Sequence, residues 1–356
     1  MNCSMKKTIF ILVVSAFSGI FGKSYSQINS AAYEVATWQG FRDAAVSYTF
    51  DDNCPNQLAV AIPLFDEFGF RSTMFIPSDW IKDWKGLQSA ADQGHEIASH
   101  TVTHANLGSL TIAQQIAEFK NSQASINTHI TGHLCLTIAY PFCAPGNDSL
   151  CGHYYIAARH CQGNVESKTP QDFTKISSIS TGSATSIQSV SDFNNNVQKA
   201  VLINGWCVFL IHGIDNDGGY SSTSSAVLRS HLDYMKLHND KFWIAPFSDV
   251  VRYIRERNVV TVHEISNKKA SIRIQVSDTL ENSVYNYPIT IRRTLPKKWK
   301  SATISQNGKE IRAEIGRKGA LKYIQFEVVP DEGEVIILKV RESQKGKNKK
   351  LTINNF

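Results

Sequence analysis

Ala44-Ala45-Val46-Ser47-Tyr48-Thr49-Phe50-Asp51-Asp52 is the stretch around which the chain is organised. The run from Ala44 to Phe50 has the length and composition of a strand, and it ends in two adjacent carboxylates. From Val35 onward, short apolar runs alternate with longer amphipathic ones, the signature of βα units and a parallel sheet or barrel. Further strands are expected at 72–76, 96–99, 136–140, 155–159, 206–212 and 242–244.

Residues 111–130 form the clearest helical stretch, with Thr111 and Gln114 as a capping box and Ile112, Ile116, Phe119 and Ile126 as an inward stripe. Stretches 222–239 and 247–257 read the same way. Between 164 and 188 the chain is Ser/Thr-rich without a period, as in a long loop or insertion. After Asn258 the texture changes. Ile272, Ile274 and Val276 alternate, Asn307-Gly308 marks a tight hairpin, and Ile324, Phe326 and Val328 alternate again, which suggests a small antiparallel β-sandwich.

The 356 residues are 42% hydrophobic and 19% charged, a globular composition long enough for one large domain and a smaller one. Lys6 and Lys7 precede an apolar run from Ile9 to Phe21, followed by small and polar residues to Gln27. That layout is a secretory signal peptide over 1–26, with an uncleaved N-terminal anchor as the alternative. Loss of Lys6, Lys7 and Lys23 lowers the formal net charge from +6 to +3, and the basic tail at 342–356, expected to be disordered, accounts for the remaining excess. Nothing in this balance calls for nucleic acid. Six cysteines follow the leader: Cys54, Cys135, Cys143, Cys151, Cys161 and Cys207. Their spacing matches no zinc knuckle and leaves fifteen full pairings open. A bridge between Cys54 and Cys143 is compatible with their place in loops at the site described next, and Cys207 suits a buried free thiol.

The paired acids gain meaning from a second stretch, Gly94-His95-Glu96-Ile97-Ala98-Ser99-His100-Thr101-Val102-Thr103-His104. One acid with His100 and His104 makes a facial set of ligands for a divalent transition metal, with positions left for water and substrate. At i and i+4 the two imidazoles project the same way if the segment is helical. The second acid is then free to act as a base.

Thr49-Phe50-Asp51-Asp52 with His100-Thr101-Val102-Thr103-His104 resembles the first two motifs of the polysaccharide deacetylases, carbohydrate esterase family four. The resemblance implies a metal-dependent deacetylase with Asp52, His100 and His104 as ligands and Asp51 as general base. The third motif falls on Ala139-Tyr140-Pro141-Phe142, where the backbone N–H of Phe142 would stabilise the oxyanion and Tyr140 would border the substrate. Here Ala139 replaces an arginine that in many members positions the base, and Cys143 stands where a glycine often follows. The fifth motif is met by Leu210-Ile211-His212, with His212 as general acid and Leu210 lining the acetyl-methyl pocket. The fourth motif, an acid orienting that histidine, has only weak candidates in Asp192 and Asp215.

These readings imply a distorted TIM-like (β/α) barrel over 31–258 as the catalytic domain and a small all-β sandwich over 265–341, either a glycan-binding module or a brace. The expected cofactor is one divalent ion, zinc with cobalt or nickel as substitutes. The expected partner is an acetylated polysaccharide or glycan, met by a secreted or periplasmic enzyme with no membrane span after signal cleavage. Tyr140, Trp206, Tyr220 and Trp243 are candidates for stacking on sugar rings. The alternative is a glycan-binding protein that keeps the metal site and has weakened catalysis.

Overall fold

The computed structural model describes residues 32–340; the expected signal peptide and basic tail lie outside the described residues. After a short strand β1 (Tyr33–Val35), eight strands form one parallel sheet: β2 (Ala44–Asp51), β3 (Thr73–Ile76), β4 (Glu96–Ser99), β5 (Thr137–Ala139), β6 (Ala157–Arg159), β7 (Ile179–Ser180), β8 (Trp206–Ile211) and β9 (Phe242–Ile244). Their order is β6-β5-β4-β3-β2-β8-β7, with β9 beside the start of β2. A parallel bridge from Arg159 to Ile176, just ahead of β7, brings the two margins together, so the sheet curls into an irregular (β/α) barrel. All eight positions of β2 are buried, including Ser47, Thr49 and Asp51, which alternate with Val46, Tyr48 and Phe50; the Ser47 and Thr49 hydroxyls are satisfied by the carbonyl oxygens of Ala245 and Phe209.

Helices α1 (Ile62–Phe68), α2 (Trp84–Asp92), α3 (Ile112–His129), α4 (Asp148–Tyr154), α5 (Val190–Ile203), α6 (Ser225–Leu237) and α7 (Phe247–Val259) flank the sheet. The capping box of α3 forms as expected, with Thr111 and Gln114 each serving the other's backbone N–H. Its inward stripe starts later than expected: Phe119 and Ile126 are buried, Ile116 is half-buried and Ile112 is exposed, with Gln115 buried in the first turn instead. Residues 164–188 are not one uninterrupted loop, since they contain β7, whose two residues take their pairing from β8. No helix among the described residues is long and apolar enough to cross a membrane.

The remaining strands, β10 (Thr261–Asn267), β11 (Ser271–Ser277), β12 (Ile289–Thr294), β13 (Ala302–Gln306), β14 (Lys309–Glu310), β15 (Ala313–Lys318), β16 (Leu321–Val328) and β17 (Val335–Lys339), make the sandwich. Its sheets run β1-β12-β16-β15 and β10-β11-β17-β13-β14. Asn307 and Gly308 both take positive φ (47° and 76°) and turn the β13–β14 hairpin. Ile272, Ile274, Val276, Ile324, Phe326 and Val328 all point into the core. One continuous apolar cluster joins them to Phe75, Trp206, Trp243 and Phe247 of the barrel.

Candidate metal-centred active site

The C-terminal end of β2 delivers Asp51 and Asp52 to one end of the barrel, and β4, β5, β6 and β8 end around them. Gln57 straps two of these ends: its side-chain amide donates to the carbonyl oxygens of both Asp51 and His212. Asp52 turns the chain at φ 73°, and its carboxylate and that of Asp51 both face His100 and His212.

Asp52, His100 and His104 each bring a ligand atom to within 4.8 Å of the others. Asp52 Oδ1 lies 3.3 Å from His104 Nε2 and 3.6 Å from His100 Nε2. Donors held ~2.0–2.2 Å from one tetrahedral ion stand roughly 3.3–3.6 Å apart, so the set fits a zinc-sized ion. Asp52 Oδ1 is buried with no hydrogen-bond partner, which a cation would satisfy. His100 Nδ1 pairs with the Ala139 carbonyl oxygen at 2.8 Å, fixing the tautomer whose Nε2 lone pair faces Asp52. Burial pushes the His100 pKa down to about 4 and lowers that of His104, so both imidazoles are neutral, the form that ligates metal. Burial, then the charge of Asp51, pushes Asp52 up to about 6 in the metal-free chain.

The two histidines do not sit on a helix. Residues 100–106 form an irregular turn in which Thr101 (φ 69°) and His104 (φ 60°) are left-handed. Glu118 of α3 supports it, accepting from the N–H of Val102 (2.7 Å), the N–H of Thr103 (3.1 Å) and the Thr103 hydroxyl (2.8 Å).

Asp51 is buried beside this set, its Oδ2 3.7 Å from His100 Nε2 and 4.0 Å from His212 Nε2. Arg159 Nη2 donates to the same oxygen. Burial alone raises the Asp51 pKa, but Arg159, then His100 and His212, outweigh it and hold the carboxyl below its usual range. The cation missing at position 139 is therefore present on the neighbouring strand, because β5 and β6 pair with Ala139 opposite Arg159. Sequence reading missed Arg159; the one signal for it was the expected strand at 155–159 with an arginine at its end.

His212 closes β8 and sits 4.0 Å from Asp52 Oδ2. Neither candidate acid orients it: Asp192 caps α5 through Ser189, and Asp215 accepts from the Ser225 N–H. His212 Nδ1 is buried without a hydrogen-bond partner. Leu210 is buried in β8, two residues before His212. Phe142 sits at the tip of the turn after β5, its ring 4.7 Å from that of His104. Tyr140 is buried in the core near Phe119, and Trp206 and Trp243 are buried too, so these three rings are not open to a sugar. Tyr220 is exposed, its ring 5.2 Å from His212. Sequence reading overlooked Trp80, which is 48% exposed with its ring 5.0 Å from that of His104. From Trp80 a groove of about 720 Å³ runs between α1 and α2, past Asn53, Lys82 and Asp83.

Cys143 does not bridge to Cys54. It pairs with Cys161 just beyond β6, while Cys54, Cys135, Cys151 and Cys207 are free and buried.

Residues 39–152 match the family model described as polysaccharide deacetylase. A curated relative, a gellan lyase from Bacillus sp, is 30% identical over 331 residues, covering 86% of this chain; the chain in turn spans only 13% of that protein's length. Among solved structures, the Xyl-CE4 domain of a multidomain xylanase from the hindgut metagenome of Trinervitermes trinervoides is 17% identical (TM-score 0.43, 61% of this chain and 92% of that one). The catalytic domain of a peptidoglycan N-acetylglucosamine deacetylase from Eubacterium rectale is 16% identical (TM-score 0.42, 57% and 88%).

Proposed function

Because this chain carries, over residues 39–152, a domain of the polysaccharide deacetylase family, we propose that it is a metal-dependent hydrolase releasing acetate from an acetylated glycan. The observation that carries the proposal is the grouping of Asp52, His100 and His104 around a common point, with a second buried carboxylate, Asp51, beside it and paired to Arg159.

In this reading Asp52, His100 and His104 hold the ion, which supplies polarisation of the acetyl carbonyl and a lowered pKa for water. Asp51 takes the proton of the attacking water as its oxygen bonds to the acetyl carbon. Arg159 positions Asp51 and keeps it ionised. The Phe142 N–H donates to the carbonyl oxygen as charge gathers there. His212 then gives a proton to the sugar nitrogen or oxygen as its bond to the acetyl carbon breaks, and acetate leaves. Trp80 and Tyr220 border the site on two sides, and the groove beyond Trp80 has room for neighbouring sugars.

Residues 31–258 are then the catalytic domain and 265–341 a brace for it. The shared apolar cluster supports a brace, and no aromatic side chain of the sandwich is among the exposed large hydrophobics of the described residues. The signal peptide expected over 1–26 places the enzyme outside the cytoplasm. One observation favours a second reading, a glycan-binding protein without turnover: the unpartnered Nδ1 of His212, the proposed acid.

The deciding assay is acetate release from acetylated xylan, chitooligosaccharides and peptidoglycan, with and without added zinc or cobalt, beside Asp51→Asn. Metal-dependent release that disappears in Asp51→Asn is the expected result. Retention of glycan and metal without any acetate would establish the binding protein.

A further inference from the structure

The turn that carries the proposed oxyanion donor is built from residues ill suited to its backbone. Phe142 (φ 56°) and Cys143 (φ 55°) are both left-handed, and both have a Cβ that disfavours that region. Two local bonds support the turn, Cys143 N–H to the Tyr140 carbonyl and Ala144 N–H to the Pro141 carbonyl. The ladder between β5 and β6 has already ended: its last rungs are the Ala139–Arg159 pair and the Tyr140 N–H on the Arg159 carbonyl. Beyond that point a covalent link takes over, Cys143 to Cys161 across 18 residues that include α4.

We propose that the Cys143–Cys161 disulfide is a positioning element of the active site, holding the Phe142 N–H and the Arg159–Asp51 pair in one frame. The two ends of the link explain the assignment. One cysteine follows Phe142 directly; the other lies two residues after Arg159, whose guanidinium grips Asp51. A link in this place fixes the oxyanion donor relative to the base, a relationship that the strand ladder alone leaves to a turn with unfavourable dihedrals. Displacement of either group by a fraction of an ångström is felt in the rate rather than in substrate affinity.

The inference rests on the deacetylase reading, and its test separates the two. Two double variants remove the bridge: Cys143→Ala/Cys161→Ala keeps a Cβ at the left-handed position, and Cys143→Gly/Cys161→Ala relieves it. On the acetylated glycan that the wild type hydrolyses, well below the melting temperature, the alanine pair should lose about tenfold or more in kcat with KM little changed. The glycine pair should recover most of that loss. Reduction of the folded wild type with a phosphine should reproduce the alanine pair, with zinc content checked afterwards, and leave the glycine pair unaffected; this arm serves if a variant fails to fold. Titration of the zinc-loaded proteins with acetohydroxamate supplies a readout without turnover, weakened in the alanine pair and restored in the glycine pair. Wild-type kcat and wild-type acetohydroxamate affinity in the alanine pair overturn the inference whatever happens to Tm. So does a glycine pair no better than the alanine pair. If the wild type releases no acetate, the deacetylase reading fails and the titration alone decides this one.

Discussion

Ala139 and Arg159 stand opposite each other on β5 and β6, and the guanidinium that reaches Asp51 comes from Arg159. Register, not sequence proximity, supplies the cation to this carboxylate. Arg159→Ala should lower kcat roughly 10–100-fold, with a smaller change in KM, because Asp51, the proposed base, loses its orientation. It should also cost about 3–5 kcal/mol of stability, since a buried carboxylate is left without its partner. Adding Ala139→Arg to that variant should return part of the activity; steady-state kinetics and thermal melts read both. No recovery would mean that the two positions are not interchangeable routes to Asp51.

Glu118 holds the turn between His100 and His104 by three hydrogen bonds, made to Val102 and Thr103 and to none of the three proposed ligands. Glu118→Ala should weaken zinc binding about 10–100-fold, the range for residues that orient ligands. Competition with a chromophoric chelator measures this. Unchanged affinity would show that the left-handed turn keeps its shape without the carboxylate.

Trp80 offers an exposed ring between His104 and the groove along α1 and α2. Trp80→Ala should raise KM for acetylated tetrasaccharides about 3–10-fold, in line with ~0.5–1.5 kcal/mol for an aromatic contact, while kcat moves less. An unaltered KM would take the groove out of substrate binding.

Glu256 on α7 is buried; its Oε1 accepts from the Tyr287 N–H at 2.9 Å and its Oε2 has no partner. Burial first, with Asp278 adding to it, pushes its pKa up to about 8 from 4.5. Between those values the folded chain binds a proton that the unfolded chain has lost, so this group favours folding fully below pH 4.5 and progressively less up to pH 8. Glu256→Gln keeps an acceptor for Tyr287 and removes the titration. Calorimetry should show the variant melting higher than wild type at pH 8 and close to it at pH 5. An equal difference at both values would exclude proton uptake by Glu256.

What could be read in the chain beforehand was whatever depends on neighbours along it. The buried run ending at Asp51 and Asp52, the Thr111–Gln114 capping box and the Asn307-Gly308 hairpin are local, and each formed as expected. Asp52, His100 and His104 converge although the segment holding the histidines is an irregular turn; it is tied down by Glu118 of α3 and by the Ser78 and Asp79 N–H groups, contacts made across the fold. The pairing of Cys143 with Cys161 and the reach of Arg159 depend on how β5 and β6 pair, which no local pattern encodes. Aromatic side chains were misjudged for a related reason. Tyr140, Trp206 and Trp243 have the composition of a sugar platform and the burial of a core, whereas Trp80 is set on the rim by the turn after β3.

Strand β1 has a bearing on how the molecule is assembled. Tyr33, Glu34 and Val35 pair with Arg293, Arg292 and Ile291, so this strand is seated by residues far along the chain from it. β1 is made well before β12, the strand it pairs with. Closing so long a loop is slow, and contacts of this separation are among the last to form. The barrel can therefore take shape before this pair closes, and the arrival of β12 is the event that latches β1 onto the sandwich.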